Sequence, residues 1–499
     1  MKQLLVRADA TVAMGTGHVM RCFALAQVWQ ATGGTVTFLS RCESPALRRR
    51  VRDEGIRLAS PPAVHPDPRD WEATARLVKR LKPDWLVLDG YHFDTGYQQA
   101  ARDAGVRVMV TDDLVHWPRY HADVLLNQNL GAGKLSYNCD PDTRMLLGPR
   151  YALLRTEFLE WRRRRRRIPK QARKVLVTMG GSDPKNVTLK VIRILKRVPV
   201  VGLEAVVMVG AGNPHLDVLK AEVQQPGVGG RGPGIRFAHA PENVAELMAW
   251  ADLAVSAGGS TCWELVLMGL PSLVLVVADN QRGVAAALDT AGAARRTTLR
   301  RLRADIADIL GRVNERRSIS ERGREMVDGG GGRRVVTRLK AAAISLRRAH
   351  AEDGRLVWQW RNDRETRAAS FRSGRLPWSD HVKWFLDQVE SPQCLFYIAV
   401  NSDSSPIGQV RCDSDGKTAV ISAGLAKEAR GCGYGAALVL RGSEQCFIDS
   451  PVERIHAYIK PQNLRSLRAF QAAGYVRAGM TRVQGESAHR LVLCRRDLQ

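Results

Sequence analysis

The chain has no C-x-x-C pair, no long uninterrupted apolar run, and few acidic residues to balance its basic ones. Each shortage excludes something. Nine scattered cysteines, odd in number, argue against zinc sites and a disulfide framework and for a reducing compartment. The longest apolar stretch, Leu265 to Ala278, is interrupted by Gly269 and Pro271 and is too short to span a bilayer. Arg7 and Asp9 arrive too early for a signal-peptide core. A cytoplasmic protein is expected. Lys+Arg number 76 against 50 Asp+Glu, a net charge of +26. Such an excess favours anionic partners. No aromatic-rich basic stripe accompanies it, so the expected anions are phosphorylated small molecules and not nucleic acid.

What is present fits several globular cores. The 499 residues are 44% hydrophobic and 25% charged, and the length suggests about three domains. Leu4-Leu5-Val6, Val36 to Leu39, Trp85 to Leu88 and Val106 to Val110 read as strands alternating with helical patterns. That alternation indicates a parallel α/β sheet, with ligands beyond the carboxyl ends of its strands, where Asp9, Asp89 and Asp112 fall. Six arginines, Arg162 to Arg167, then mark a seam and read as a solvated helix end or linker. The pattern restarts at Lys174 to Thr178 and runs through Val206 to Val209, Leu253 to Ser256 and Ser272 to Val277. The glycine run Gly329 to Gly332 reads as a loop inside this second domain, and Arg338 to Leu346 as helix. A third composition begins near Leu346, with strands at Leu395 to Val400 and Ala419 to Leu425. Expected boundaries are therefore 1–165, 166–345 and 346–499: two doubly wound α/β lobes followed by an α+β domain.

Three glycine-rich turns carry chemistry. Gly258-Gly259-Ser260-Thr261 lies between a strand and a helix, where backbone N–H groups and hydroxyls attract phosphate. Glu264, one turn on, is placed to accept from ribose hydroxyls. Gly15-Thr16-Gly17-His18 puts a histidine at a helix start, whose positive end favours the neutral imidazole that acts as base. Arg430-Gly431-Cys432-Gly433-Tyr434-Gly435 follows a strand and opens a helix, aiming N–H groups at a pyrophosphate.

Several motifs recur together in one family: Arg7-Ala8-Asp9, Gly15-x-Gly17-His18-x-x-Arg21, Leu88-Asp89-x-Tyr91, Thr111-Asp112-Asp113-Leu114, Leu147-Gly148-Pro149-x-Tyr151-x-Leu153-Leu154-Arg155, Gly180-Gly181-Ser182-Asp183, Ala257-Gly258-Gly259-Ser260-Thr261-x-x-Glu264, Gly269-x-Pro271 and Asn280-Gln281. Through them the first 345 residues resemble the PseG family of UDP-sugar hydrolases of pseudaminic acid biosynthesis. The resemblance implies a GT-B fold like that of MurG. It also implies metal-free hydrolysis of UDP-2,4-diacetamido-2,4,6-trideoxy-β-L-altropyranose to free sugar and UDP. It implies that His18 activates water, and that Asp9 or Asp89 positions water or sugar. Arg21, Tyr91, Gly259, Ser260, Thr261, Glu264, Asn280 and Gln281 would hold UDP and sugar.

From about Leu346 the chain resembles the GNAT acyltransferases, through the Arg430 to Gly435 turn and Asn463 ahead of Gly474-Tyr475. Trp360-Arg361-Asn362-Asp363 and His381-x-x-Trp384-Phe385 point to the PseH-like N-acetyltransferases of nucleotide aminosugars. This implies acetyl-CoA as donor, bound by Leu425, Arg430, Gly431, Gly433, Gly435 and Asn463, and the 4-amino group of a UDP-sugar as acceptor. Association with other nonulosonic acid pathway enzymes would follow. The chain departs from the GNAT pattern at Phe470, where a tyrosine often protonates the leaving thiolate. Tyr475, Tyr458 or water then remain as proton sources. The alternative to the hydrolase reading is a GT-B glycosyltransferase passing its sugar to an acceptor, joined to a GNAT domain of other specificity.

Overall fold

The structure is a computed structural model and describes residues 2–225, 233–401 and 404–497. Of the Ser/Asp turn read at 401–405, Ser402 and Asp403 lie outside the described residues. The chain forms two compact units, residues 1–332 and 333–499.

The first unit holds two parallel sheets. In the first lobe they are β1 (Gln3–Ala8), β2 (Thr35–Leu39), β3 (Arg57–Ala59), β4 (Trp85–Asp89), β5 (Arg107–Thr111), β6 (Val124–Asn127) and β7 (Arg144–Leu147), in the order β3-β2-β1-β4-β5-β6-β7. In the second lobe β8 (Lys174–Thr178), β9 (Glu204–Val209), β10 (Gly234–His239), β11 (Leu253–Ala257), β12 (Ser272–Leu275) and β13 (Arg295–Thr297) lie in the order β10-β9-β8-β11-β12-β13. Both are doubly wound, with the order reversing at β1 and at β8. The central strands are apolar on both faces because helices cover both: Leu4, Leu5, Val6, Leu86 and Val87 are wholly buried. Reversal opens a crevice at the carboxyl ends of β1 and β4, and of β8 and β11.

The arginine run is only in part the solvated segment its charge suggests. The helix Thr156–Arg162 ends in it, but Arg162 donates to the Arg324 carbonyl and Arg166 to the Met248 carbonyl, at 2.9 and 2.8 Å. Burial pushes the Arg166 guanidinium down to about 10. These side chains satisfy helix-end carbonyls that the fold would otherwise leave without partners.

The second unit has one mixed sheet: β14 (Ser345–Arg348), β15 (Cys394–Val400), β16 (Pro406–Asp415), β17 (Thr418–Leu425), β18 (Arg454–Ile459), β19 (Val476–Val483) and β20 (Glu486–Cys494), in the order β14-β15-β16-β17-β18-β20-β19. The expected helix over Arg338 to Leu346 stops early. The helix is Gly331–Ala342, so the last residues of the glycine run open it, and Ser345–Arg348 is an edge strand. Pairing of Leu346 with Ala399 overrides the local helical pattern. Strands β17 and β18 are parallel but pair only over Thr418–Val420 and Arg454–His456; beyond that they part and leave a notch. The doubly wound pair followed by an α+β domain is thus the observed architecture. No helix among the described residues is long and apolar enough to cross a membrane.

Candidate functional site

Loops at the carboxyl ends of β1, β4, β8, β11 and β12 line one cleft of 1290 Å³ between the two lobes. The lobes approach closely there. A Cβ on Gly181 would sit 2.2 Å from Thr16 Oγ1, so a larger residue there would have to displace the Thr16 side chain.

On one wall, His18 stands in the first turn of the helix Gly17–Gln30. Its Nδ1 lies 2.7 Å from Asp89 Oδ1. A ring N–H donated to that carboxylate leaves Nε2 as the acceptor. Burial pushes the Asp89 carboxyl up, but the charges of Arg21 and His18 outweigh it and hold it well below the usual carboxylate range. Asp89 is wholly buried and does not line the cleft. Asp9 is likewise buried, bound by Arg7 at 2.5 and 2.9 Å, by the Arg41 N–H, and by His92 Nε2 at 3.0 Å. Burial pushes Asp9 up, and hydrogen bonds from His92 and Arg7 bring it down to about 2. Each carboxylate stands behind a histidine, His92 or His18, that does line the cleft, so neither Asp9 nor Asp89 reaches the cleft directly.

Arg21 is also spent within the protein. It donates to both oxygens of Asp89 at 2.6 and 2.7 Å, and to Asp113 at 3.0 and 2.9 Å. It braces the wall where a sugar contact was expected. Tyr91 packs edge-on to the His18 ring, with centroids 4.9 Å apart, and donates to Asp113 at 2.9 Å. Burial, then the Asp113 charge, pushes its phenol well up, so it stays protonated.

On the other wall the helix Thr261–Met268 begins at Ser260, with Gly259, Ser260 and Thr261 lining the cleft. The Cys262 and Trp263 N–H groups bond the Gly259 and Ser260 carbonyls at 3.0 and 3.1 Å, which leaves the N–H groups of Ser260 and Thr261 as the donors this helix start can offer an anion. Gly17 lies opposite: a Cβ there would sit 3.6 Å from Ser260 Oγ. Glu264 Oε1 accepts from Arg155 Nε and Nη2 at 3.0 and 2.8 Å. Burial raises its carboxyl while Arg155 opposes that. Oε2 is left for a ligand. Asn280 donates to the Tyr91 hydroxyl at 3.2 Å across the cleft, and its buried Oδ1 has no protein partner. Gln281 Oε1 accepts the N–H groups of Gly258 and Val277, both at 3.1 Å. It pins the glycine turn in place, which the sequence motif alone does not reveal. Sequence reasoning also passed over His92, Asp113 and Arg155 as functional groups. Asp113 and Arg155 carried a signal, as members of their motifs; His92 carried none.

In the second unit the turn after β17 keeps Gly431 and Gly433 at φ 78° and 74°, and the helix Tyr434–Asp449 follows at once. A Cβ on Gly431 would meet nothing within 4 Å, so the turn is open to a ligand. Gly435 packs on Ala469 and Leu425. Arg430 departs from its expected role. Its guanidinium pairs with Asp363 at 2.7 Å, Thr366 at 2.9 Å and the Leu425 carbonyl, and its N–H bonds Lys427. Both terminal nitrogens of its guanidinium are thus bonded within the protein. Asn463 Oδ1 caps the helix Leu464–Ala472 through the Ser466 N–H at 3.1 Å. Phe470 is core, edge-on to Tyr475 with centroids 5.0 Å apart. Tyr475 is buried, its hydroxyl 2.7 Å from Ser443 Oγ. Burial pushes that phenol well up. Tyr475 is thereby removed as a proton source for a thiolate.

Among the described residues no group of three or more His, Cys, Asp or Glu could hold a metal ion.

Residues 175–319 match the glycosyltransferase family 28 C-terminal domain, and residues 344–476 match the acetyltransferase (GNAT) domain. The chain is 26% identical over 341 residues to the spore coat polysaccharide biosynthesis protein SpsG of Bacillus subtilis, covering 67% of this chain and 96% of that one. It is 26% identical over 232 residues to a pseudaminic acid cytidylyltransferase and UDP-2,4-diacetamido-2,4,6-trideoxy-beta-L-altropyranose hydrolase of Helicobacter pylori, covering 45% of this chain and 40% of that one. MurG of Acinetobacter baumannii superposes with a TM-score of 0.47 at 17% identity, over 67% of this chain and 98% of MurG. The GNAT match makes acetyl-CoA a cosubstrate of the second unit. One polypeptide thus joins a lobe of the glycosyltransferase family 28 C-terminal type to a GNAT acetyltransferase domain.

Proposed function

We propose that the first unit hydrolyses UDP-2,4-diacetamido-2,4,6-trideoxy-β-L-altropyranose to the free sugar and UDP, and that the second acetylates the 4-amino group of its UDP-sugar precursor. The observation that carries the hydrolase half is the Asp89–His18 pair facing a helix start across one cleft. The Helicobacter pylori hydrolase supplies the substrate class.

In this reading the Ser260–Thr261 helix start holds the pyrophosphate and stabilises the charge that develops as UDP leaves. Glu264 Oε2 accepts from the ribose. His18 Nε2 takes a proton from water attacking the anomeric carbon, with Asp89 holding the ring and the imidazolium that forms. The acceptor Asn280 Oδ1 meets an N–H or hydroxyl of the sugar. Asp9 keeps His92 in place at the same wall. In the second unit, Gly431 and Gly433 give the acetyl-CoA pyrophosphate close access to backbone N–H groups at a helix start. The nine free cysteines support a reducing, cytoplasmic setting. The family 28 match favours a second reading, in which the sugar passes to an acceptor other than water.

Mass spectrometry of products tests this. With UDP-4-amino sugar and acetyl-CoA, the N-acetylated sugar and UDP should both appear without any acceptor. Without acetyl-CoA, the acetylated product should be missing. UDP release only on adding a sugar acceptor would establish the glycosyltransferase instead.

A further inference from the structure

The second unit lacks the usual proton donor at position 470, and Tyr475 is locked in the core. The face of the sheet at the notch shows what replaces them. On β18 the residues Ile455, Ala457 and Ile459 belong to the buried core. Side chains alternate along a strand, so His456 and Tyr458 stand on the opposite face. His456 is paired with Val420, the last pair before β17 and β18 separate, and Tyr458 lies just beyond it, beside the opening. Neither strand carries an aspartate or glutamate: β17 reads Thr-Ala-Val-Ile-Ser-Ala-Gly-Leu and β18 Arg-Ile-His-Ala-Tyr-Ile. Apart from Arg454, His456 and Tyr458 are the ionisable side chains of these two strands. On the same face, Val420 is 38% exposed. Gln409 Oε1, Arg411 Nε and His456 Nδ1 are buried without a protein partner. In a folded protein such groups are few and call for a ligand or a function.

We propose that His456 and Tyr458 carry the two proton transfers of acetyl transfer at this notch. The proposal rests on the second unit acting on a primary amine. The acceptor ammonium gives a proton to the His456 imidazole. The freed lone pair forms the C–N bond at the thioester carbonyl. As the adduct collapses, the C–S bond breaks, sulfur takes the electron pair, and the Tyr458 hydroxyl protonates it. The nitrogen sheds its second proton as the adduct collapses, which restores the tyrosinate, and His456 releases its own proton to solvent. The surroundings suit a base. Burial, then the charges of Arg490 and Arg454, lower the His456 pKa, so the ring is neutral at pH 7. The groups facing it are Arg454 and Tyr458 on its own strand, Arg490 and Val492 on β20, and Val420 and Ser422 on β17. None is an acid that would hold the imidazole charged.

The test follows CoA thiol release by the full chain with acetyl-CoA and UDP-4-amino sugar. His456→Gln should lower kcat/KM by about 10² at pH 7, the lower end for a lost general base. The deficit should shrink as the pH approaches the pKa of the amine, because the substrate then arrives deprotonated. Tyr458→Phe should lower kcat about tenfold with little change in KM. Acetyl-CoA affinity should stay within twofold in both, which also reports a folded notch. A His456→Gln protein within threefold of wild type, with an unshifted pH profile, overturns the assignment of the base. A fully active Tyr458→Phe protein overturns that of the acid. If wild type refuses the UDP-sugar but acetylates glucosamine or butylamine, the substrate reading fails while the variants are compared on that amine. If it binds acetyl-CoA and acetylates no amine, this proposal is wrong and the hydrolase reading stands.

Discussion

The cleft of the first unit and the notch of the second both rest on a glycine turn at a helix start, yet they use their charged groups differently. In the cleft the buried charges of the walls are paired: Asp89 with His18 and Arg21, Asp9 with Arg7 and His92, Asp113 with Arg21, Tyr91 and Asn129, Glu264 with Arg155. In the notch the parting strands have no carboxylate, and polar atoms of His456, Gln409 and Arg411 stay without protein partners. The difference suits the two proposed chemistries. On the proposed reading, a cleft that holds an anionic leaving group and orients a base benefits from a rigid, pre-paired wall. A site that takes up an amine and a thioester leaves its partners to be supplied by the substrates.

The sharpest way to break the comparison is to remove the base on the pre-paired wall. His18→Ala should lower the rate of UDP release by about 10² to 10⁴, with UDP affinity within a few-fold. Steady-state kinetics and isothermal titration check this. Asp89→Asn keeps the ring but presents it with a partner that need not fix the tautomer, and its loss should fall short of that of His18→Ala. An equal or larger loss would give Asp89 a role beyond orientation.

Next comes the leaving-group wall. Glu264→Ala should weaken UDP binding about tenfold, since it removes contacts shared by substrate and transition state. The same change should leave kcat less affected than His18→Ala does. In the notch, Gly433→Trp puts a bulky side chain at a left-handed residue of the turn, at φ 74°. It should abolish acetyl-CoA affinity while leaving UDP release intact. Full affinity in the folded variant would place the cofactor elsewhere.

The smallest expected effect is on stability. The folded Asp9 carboxyl lies at about 2, below the unfolded value of about 3.9. Its contribution is therefore present above the unfolded value and is lost as the pH falls from about 4 to about 2. That is worth roughly 2 to 3 kcal/mol. Asp9→Asn should lower the urea midpoint at pH 7, and the gap to wild type should narrow toward pH 2. A gap independent of pH would assign the loss to packing.

These residues also show what sequence could and could not reveal. Strands such as Leu4-Leu5-Val6 and the glycine turns were legible because apolar period, strand position and helix start are local properties. The wiring was not, because its partners are remote: Arg7 and Asp70 are 63 positions apart, Arg21 and Asp113 92, and Arg155 and Glu264 109. Local motifs therefore point to loops that the structure gathers at the cleft and at the turn after β17, while the partners of some residues differ from those expected. Gln281 braces a turn, Arg430 pairs with Asp363, and Asn463 caps a helix while its amide N–H groups remain free for a ligand. The edge strand Ser345–Arg348 was hidden for the same reason, since its partner β15 lies some fifty residues on.

The central claim is that His18 and the helix start at Ser260 act on opposite sides of one bond, between the anomeric carbon and UDP. Turnover of UDP-2,4-diacetamido-2,4,6-trideoxy-β-L-altropyranose in ¹⁸O-water, with no sugar acceptor present, tests it most directly. The account predicts UDP release with one labelled oxygen in the free sugar and none in UDP, lost together in His18→Ala. Label in the UDP phosphate, or release only when an acceptor is added, would contradict it.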